Sequence, residues 1–338
     1  MIYIGMDIHK NFIQAVAITK EGKLICNQKL GTSDEQIKRF IQSLAVPVHR
    51  IKAAVESTCT WYHVYDSLEA LGIDTTLVNV RRTKVIAESK IKTDKLDALS
   101  IAHCLRTGFI AESWVPPKDI RELRNMVRHR LSLRKEITRF KNKVHSILLR
   151  NGIKHEYSDL FGKKGMEFLR NLELEGSDRY RLQSYLGIVE SLMEQKQRTD
   201  SRISRLCRMN EKAMLLTSIK GISYYSAMVI VSEIGDVKRF PNSKKLCSYA
   251  GLVPRTMQSG NHVYHGRILK ECNQNLKWIL VQCIHSHIRF CKDSLITRLY
   301  YRVMKRKSKN KATIAASRKM LTCIWHMLTR GEEFKCRG

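Results

Sequence analysis

Acidic residues are scarce in this sequence, and features that would place it in several other classes are missing. The 338 residues include 31 Asp and Glu against 61 Lys and Arg. No apolar stretch reaches the roughly 20 residues that a membrane-spanning helix needs. The N-terminal segment lacks the basic start and the apolar run of a signal peptide. We therefore expect a cytoplasmic protein with no membrane partner.

The cysteines show no pairing pattern. None of the ten is part of a Cys-x-x-Cys pair, and many lie among apolar neighbours, which indicates reduced thiols in a cytosolic protein. Two sets of residues are spaced in a way similar to metal ligands: His262, His265 and Cys272, and Cys283, His287 and Cys291. Neither set has a fourth ligand in register, so we expect ordinary packing there and no zinc.

The charge balance is strongly positive, with a formal net charge of +30. Such an excess destabilises a compact chain by self-repulsion unless a polyanion neutralises it. Nucleic acid is the natural polyanion, because counterion release then supplies binding energy. Ribosomal and chromatin proteins share this bias, so the charge indicates a partner and leaves the activity open.

Basic residues are concentrated in one predicted helix. Between Arg121 and Arg150 ten residues are basic, and only Glu122 and Glu136 oppose them. A second amphipathic helix is predicted over Asp178–Asn210, and the two suggest an antiparallel coiled-coil arm. We expect the arm to contact nucleic acid, although a solvated basic face on a helical bundle is the alternative. The proposed contact residues are Arg124, Arg128, Arg134 and Lys141.

The first 110 or so residues have the pattern of an α/β domain. Three short runs joined by tight turns predict an antiparallel meander, and alternating strands and helices follow it. The predicted strands are Ile2–Asp7, Phe12–Thr19, Leu24–Leu30, Ile51–Val55 and Ile73–Val78. The predicted helices begin near Ser33 and cover Trp61–Leu71 and Asp94–Leu105. This order is typical of a ribonuclease-H-like fold.

The pair Pro116-Pro117 predicts a domain boundary. We expect three domains: an α/β ribonuclease-H-like catalytic domain over 1–112, the coiled-coil arm over 118–213, and a mostly α C-terminal domain over 214–332. One long segment of the last domain, Gly251–Gly266, is predicted to be irregular.

Two features of the C-terminal domain suit phosphate contacts. Ile219–Ser223 is similar to a helix-hairpin-helix turn, in which Gly221 would help to present backbone N–H groups to a phosphate. Ser223 replaces the usual second glycine, so ordinary helix-turn-helix packing is an equal alternative. The second feature is the basic cluster Lys305, Arg306 and Lys307, for which a solvated tail is the alternative.

Four acidic residues are expected to meet in the N-terminal domain. Asp7 ends the first strand, Glu56 closes the fourth, and Asp94 and Asp97 share one helical face. Crowded carboxylates repel one another unless cations neutralise them. Two Mg²⁺ ions about 4 Å apart would do so and would hold both oxygens of an in-line phosphoryl displacement. Taken singly, each acid has an ordinary alternative as a turn residue, a lysine partner or a helix cap.

These acids also carry a family resemblance. Asp7, Glu56 and the run Lys92-Thr93-Asp94-Lys95-Leu96-Asp97-Ala98 resemble the DEDD-type transposases and recombinases of the insertion-sequence IS110 family, relatives of Piv-type DNA invertases. The resemblance implies an N-terminal domain similar to RuvC Holliday-junction resolvases. Four later segments resemble the C-terminal transposase domain of the same family: Gly235–Phe240, Tyr249–Pro254, Gln258–Gly260 and Gly266–Leu276. The resemblance therefore covers nearly the whole chain.

The resemblance further implies a serine nucleophile. Family members carry it in a Gly-Leu-x-Pro…Ser-Gly segment, and its match here is Ser259. A serine hydroxyl needs activation, and metals held by the acids could stabilise the alkoxide and the phosphate while a phosphoserine link to DNA forms. Without the family, a turn serine before Gly260 would be the simpler interpretation, and Ser248 is a rival nucleophile. Arg255 and Arg267 could contact the scissile phosphate or be ordinary surface arginines.

The partners also follow from the resemblance. It implies donor and target DNA recognised through a structured guide RNA, or bridge RNA, encoded by the element; a basic arm would suit such an RNA. It implies a homo-oligomer, a dimer or a tetramer, in which the acidic domain of one subunit meets the serine domain of another. It places the protein in a prokaryotic cell, at the nucleoid during activity.

Three other functions stay open. A hydrolytic Mg²⁺-dependent nuclease of the Holliday-junction resolvase type would need the four acids and not Ser259. A non-enzymatic RNA-binding protein would use the acids only structurally. An ATPase of the actin or sugar-kinase type shares the first-strand aspartate, but no Gly-rich phosphate loop follows Asp7.

Overall fold

Two compact units make up the chain, Met1–Val115 and Pro116–Gly338. The computed structural model describes residues 1–58, 60–79, 83, 93–259, 262–268 and 271–335, and the side chains at 256–259, 262, 263, 265 and 267 lie outside that description. The first unit is a mixed α/β sheet domain and the second is mostly helical, as the sequence predicts.

The first unit is built on a five-stranded sheet. Its strands are β1 (Ile2–Ile8), β2 (Ile13–Thr19), β3 (Leu24–Leu30), β4 (Ile51–Glu56) and β5 (Asp74–Val78). The order across the sheet is β3-β2-β1-β4-β5. β1, β2 and β3 form an antiparallel meander, whereas β4 runs parallel to β1, and β5 runs parallel to β4. The predicted strands are therefore present, and the first and fourth are neighbours.

Helices cover both faces of this sheet. They are α1 (Asp34–Ser43), α2 (Trp61–Ala70) and α3 (Asp94–Thr107). Because side chains alternate along a strand, the even-numbered residues of β1, such as Ile4 and Met6, pack in one core with α1 and α2. The odd-numbered residues of β1 face α3, whose Ala98 and Ala102 pack against β2. α3 thus packs on the face that carries Asp7.

The second unit contains two long helices and a helical core. Its helices are α4 (Lys118–Arg150), α5 (Lys163–Asn171), α6 (Gly176–Arg208), α7 (Glu211–Thr217), α8 (Tyr224–Ile234), α9 (Ser243–Tyr249), α10 (Gln274–Phe290), α11 (Leu295–Met304) and α12 (Lys309–Arg330). Within the part of the chain that the structure describes, no helix has the length and apolar character to cross a membrane.

The two long helices α4 and α6 pack side by side and run in opposite directions. Ion pairs join Arg130 to Asp200 near one end of the pair and Arg150 to Asp178 near the other. Val127 of α4 also belongs to the core that the C-terminal helices share. The division of the chain into three domains stays a prediction, since the arm and the C-terminal helices lie in one unit.

The prediction that Gly251–Gly266 is irregular is wrong. Strands β6 (Pro254–Ser259) and β7 (His262–Ile268) form an antiparallel hairpin. A usable signal was present, because Gly260-Asn261 is a dipeptide typical of two-residue hairpin loops. These two residues themselves lie outside the described part of the chain.

Candidate active site

Asp7 and Glu56 occupy matching positions on neighbouring strands. The parallel register of β1 and β4 pairs Met6 with Val55, and Asp7 and Glu56 are the next residue along each strand. Parallel neighbours in a sheet lie about 4.8 Å apart, and residues in register share a face. The two acids therefore stand side by side on the face that α3 covers. Asp7 is 6% exposed and Glu56 is partly buried.

Gly5 allows α3 to come close to this face. A Cβ at position 5 would lie 2.1 Å from the carbonyl oxygen of Ala98 and 2.6 Å from the backbone nitrogen of Ala102. Only glycine tolerates that approach without a shift of the helix. Asp94 is one helical turn before Ala98, as Ala98 is one turn before Ala102. The contact at Gly5 therefore brings the first turn of α3 towards Asp7, two residues further along β1.

Local sequence explains why α3 begins there. The Thr93 side chain caps the helix by accepting a hydrogen bond of 3.3 Å from the Leu96 N–H. Asp94 and Asp97 both lie in the first turn, where the helix dipole favours negative charge. Asp97 is exposed. Lys92, which belongs to the same motif, lies outside the described residues.

His9 joins two of the acids. Its Nε2 atom lies 3.1 Å from Asp7 Oδ2 and 3.4 Å from Asp94 Oδ1. The imidazole ring stacks on Phe12, with ring centroids 4.5 Å apart. Sequence reasoning missed His9, but a signal existed. Residues 7 and 9 are separated by the period of a β-strand, so they project to the same side.

The donor set suits a divalent cation. One ligand atom from each of Asp7, His9 and Asp94 lies within 4.8 Å of the other two. Carboxylate oxygens are the ligands of Mg²⁺ and Mn²⁺, and an imidazole nitrogen suits transition ions. By register, Glu56 is placed to add a further oxygen.

Ser259 lies at the last position of β6, next to the hairpin loop. Its register partner is His262, the first residue of β7. The side chains of Ser259, His262, His265 and Arg267 lie outside the description. The rival serine, Ser248, is partly buried in helix α9.

Some of the basic residues proposed to contact nucleic acid are bound to other parts of the protein, and others are exposed. Arg124 is buried and donates to the carbonyl oxygens of Ser232 and Glu233 at 2.7 and 3.0 Å. Arg128 is bound to the Glu233 carboxylate. In this conformation these two guanidinium groups act within the protein. Arg255, Lys305, Arg306 and Lys307 are exposed.

Arg134 and Lys141 line an open groove between α4, α5 and α6. Lys163 and Lys196 line the same groove. The Arg134 guanidinium lies 4.8 Å from the centre of the Trp278 ring, and the Lys141 ammonium lies 4.5 Å from that of Phe161. Cations supported on aromatic rings at the edge of a groove can reach a phosphate backbone without leaving their packing.

Gly221 has a packing role. Its φ angle is +101°, and a Cβ there would lie 2.7 Å from the backbone nitrogen of His287 in α10. His287 is itself buried: Nδ1 donates to the Lys220 carbonyl at 2.6 Å, and Nε2 lies 2.7 Å from the Ser294 hydroxyl oxygen. Both ring nitrogens are thus engaged in protein contacts. The turn between α7 and α8 needs a glycine because α10 passes so close.

Two parts of the chain match known protein families. Residues 4–151 match the family model DEDD_Tnp_IS110, described as Transposase, and residues 213–301 match a second model, described as Transposase IS116/IS110/IS902 family. The transposase for insertion sequence element IS1533 of Leptospira borgpetersenii is 28% identical over 72% of each chain. The transposase for IS1111A of Coxiella burnetii is 24% identical over 98% of this chain and 91% of its own. The pilin gene-inverting protein of Moraxella bovis is 25% identical over 99% of this chain and 98% of its own.

The first matched region contains the acids Asp7, Glu56, Asp94 and Asp97, and the second contains the β6–β7 hairpin that carries Ser259. With the fold around Asp7, they define an enzyme of the DNA transposase and recombinase class. The chain belongs to the IS110 family of transposases.

Proposed function

We propose that this transposase breaks and rejoins DNA through a Mg²⁺-dependent acidic centre and a phosphoserine intermediate, guided by a structured RNA. The observation that carries the proposal is the convergence of Asp7 and Asp94 around His9 at the end of β1. The strand order β3-β2-β1-β4-β5 supports a ribonuclease-H-like interpretation of the first unit. The antiparallel α4 and α6 support a coiled-coil arm.

Asp7, Glu56, Asp94 and Asp97 would hold two Mg²⁺ ions in this proposal. Ions bound there would stabilise negative charge on the reacting phosphate. The buried position of Asp7 fixes one ligand on the sheet, and the contact between Gly5 and α3 fixes the helix that carries the other two aspartates. His9 would orient Asp7 and Asp94, or take a ligand position itself.

Ser259 would make the covalent bond. Its hydroxyl oxygen bonds to phosphorus, and the bond from phosphorus to a deoxyribose oxygen breaks. The serine proton is lost to solvent, and the released strand end takes up a proton. In the reverse step a hydroxyl of another strand end displaces the serine, so rejoining needs no ATP. Its place at the last position of β6 suits a side chain that must reach a DNA strand.

The partners in this proposal are donor DNA, target DNA and a guide RNA. The groove with Arg134 and Lys141 is the proposed RNA contact, since its cations can track a phosphate backbone. The protein would act in the cytoplasm as a homo-oligomer, a dimer or a tetramer, in which acids and serine act on one phosphate. Arg255, Arg267 and the cluster Lys305–Lys307 are proposed DNA contacts.

The test is to trap the intermediate. The protein is purified with its co-purifying RNA, given DNA with its element ends and Mg²⁺, and digested for mass spectrometry. We expect a nucleotide adduct on Ser259 in the wild type and in Ser248→Ala, and none in Ser259→Ala. Asp7→Asn should stay folded and form no adduct. An adduct on Ser248 would refute the assignment of Ser259.

A hydrolytic nuclease is the second candidate. It is favoured by one observation, that Asp7, His9 and Asp94 gather within the first unit alone. Under this function Ser259→Ala would still cut DNA at the wild-type rate, and the products would carry no protein. Cleavage that is lost in Ser259→Ala but retained in Ser248→Ala would exclude it.

A further inference from the structure

A fully buried carboxylate lies at the base of the hairpin that carries Ser259. We propose that Glu233 and Asn273 form a clasp that holds the β6–β7 hairpin in position, which makes both of them positioning residues for the reaction at Ser259. The inference rests on the proposed role of Ser259. The hairpin itself can be tested without that role.

Glu233 accepts hydrogen bonds from three segments of the second unit: α4, the end of α9 and the start of α10. Its side chain is 0% exposed. Oε1 accepts from Arg128 Nε at 2.8 Å and from Asn275 Nδ2 at 3.0 Å. Oε2 accepts from Arg128 Nη2 at 2.8 Å and from Asn273 Nδ2 at 2.8 Å. Its carbonyl oxygen also accepts from the Tyr249 hydroxyl at 3.3 Å. A carboxylate that is buried away from solvent needs such a set of hydrogen-bond donors.

Tyr249 and Asn273 mark the two ends of the hairpin segment. Tyr249 is the last residue of α9 before β6, and Asn273 precedes α10 after β7. The Asn273 N–H donates to the Tyr249 carbonyl at 2.9 Å, and the Asn273 amide donates to the Tyr249 hydroxyl at 3.0 Å. The chain that leaves at Tyr249 therefore returns to the same place at Asn273, and both ends are fixed to Glu233.

The clasp is anchored in parts of the unit outside the hairpin. Glu233 belongs to α8, which packs in the main core, and Arg128 belongs to α4. The hairpin between Pro254 and Ile268 is a two-stranded sheet, and an isolated hairpin is at best marginally stable in water. Its orientation therefore depends on how its two ends are held. A displacement of about 1 Å at a reacting group can cost about a hundredfold in rate.

Three single substitutions distinguish the positioning of the hairpin from the stability of the second unit. Asn273 also caps α10, accepting from the Leu276 N–H at 2.9 Å. Asn273→Ser keeps a capping oxygen and removes the amide that binds Glu233 and Tyr249. Asn275→Ala is the matched control, because it removes a Glu233 hydrogen bond of similar length from a residue inside α10. Tyr249→Phe removes the hydroxyl that binds Glu233 and Asn273 at the base of the hairpin, and it leaves the Asn273 side chain unchanged.

The first measurement is amide hydrogen exchange in the RNA-bound protein, with no DNA. In Asn273→Ser and Tyr249→Phe we expect exchange in 254–268 to be at least about tenfold faster, because each variant removes two hydrogen bonds that oppose local opening. In Asn275→Ala that segment should exchange as in the wild type. Ser259→Ala should leave it unchanged.

The second measurement is the rate of adduct formation on Ser259 at saturating DNA. We expect Asn273→Ser to lower it tenfold to a hundredfold with unchanged DNA affinity, and Asn275→Ala to lower it less than threefold. Equal exchange in both variants, or equal rates, would overturn the clasp. Faster exchange in Asn273→Ser together with no adduct in the wild type would keep the clasp and reject Ser259 as the nucleophile.

Discussion

Arg128 and Glu233 form a two-point ion pair in which Nε and Nη2 of the guanidinium each donate to a different carboxylate oxygen at 2.8 Å. The carboxylate is fully buried, whereas the Arg128 side chain is 45% exposed. Burial alone would raise the pKa of Glu233, but the Arg128 charge and hydrogen bonds, with the two asparagine amides, hold that pKa below its usual value. Glu233 is therefore charged in the folded protein.

The first prediction concerns the pH dependence of stability. A carboxyl whose pKa is lower in the folded than in the unfolded chain stabilises the fold above its unfolded pKa, and that contribution is lost as pH falls through the folded pKa. Glu233→Gln replaces the carboxylate that these donors bind with a neutral amide. It should lower the free energy of unfolding by about 3–5 kcal/mol at pH 7. The difference in unfolding free energy between wild type and variant should shrink as pH falls below about 4.5.

The matched control for this titration is Glu190→Gln. Glu190 also pairs with an arginine, Arg170, but the two side chains are 42% and 60% exposed. Exposed pairs contribute about 0–1 kcal/mol, so this variant should follow the wild-type denaturant curves at every pH. A difference between wild type and Glu233→Gln that stays constant from pH 7 to pH 3 would show that folding leaves the pKa of Glu233 unchanged, and a difference that grows as pH falls would show that folding raises it.

The second prediction concerns Gly5. A methyl group there would meet the backbone of Ala98 and Ala102, so Gly5→Ala must push α3 away from the sheet. Overpacking of this kind costs about 1–3 kcal/mol, and it moves Asp94 away from Asp7. We expect a lower melting temperature and weaker Mn²⁺ binding, measured by titration calorimetry. Gly187→Ala is the control, because a Cβ at that position of α6 meets nothing within 4 Å, and its stability should stay equal or rise.

The third prediction concerns His9 as a participant in the metal site. His9→Asn removes the imidazole between Asp7 and Asp94 and leaves both acids in place. If the nitrogen is a ligand or orients the acids, Mn²⁺ affinity should fall at least about tenfold. Phe12→Leu, which removes the ring that stacks on His9, should give a smaller loss. An unchanged Mn²⁺ affinity in His9→Asn would assign His9 a role outside the metal site.

Placement of the acids could be predicted from the sequence, whereas placement of their supports could not. Asp7 and Glu56 each end an apolar run, and Asp94 and Asp97 repeat at helical spacing, so periodicity predicts the strand ends and the helical turn on which they lie. Gly5 is one small residue in a strand, and its role depends on a helix more than 90 residues later.

Glu233 shows a second limit of sequence reasoning. It stands in an otherwise apolar helix, α8, and its partner Arg128 is 105 residues away. Nothing in the local sequence distinguishes Arg124 and Arg128 from the other arginines of α4, because their contacts to Glu233 come from a helix more than 100 residues later. The same limit applies to Gly221, because the close passage of α10 cannot be predicted from residues 219–223.

The fourth prediction separates these two roles for Gly221. Ala at position 221 would be strained at a φ of +101° and would clash with the backbone of His287. The strain alone costs about 1–3 kcal/mol, so Gly221→Ala should lower the melting temperature by several degrees. At a temperature where the variant is folded, its DNA affinity should equal that of the wild type. A normal melting temperature with weaker DNA binding would instead support a helix-hairpin-helix contact.

The last prediction concerns the groove between α4, α5 and α6 that Arg134 and Lys141 line. If Lys141 contacts a phosphate of the guide RNA, Lys141→Ala should weaken RNA binding at low salt and reduce the slope of log affinity against log salt by about 0.7–1. Arg39→Ala is the control, since Arg39 belongs to α1 of the first unit, does not line the groove and is paired with Glu35. Arg39→Ala should leave the slope unchanged. A similar change in both variants would mean that the RNA responds to net charge, and that the groove between α4, α5 and α6 is not its binding site.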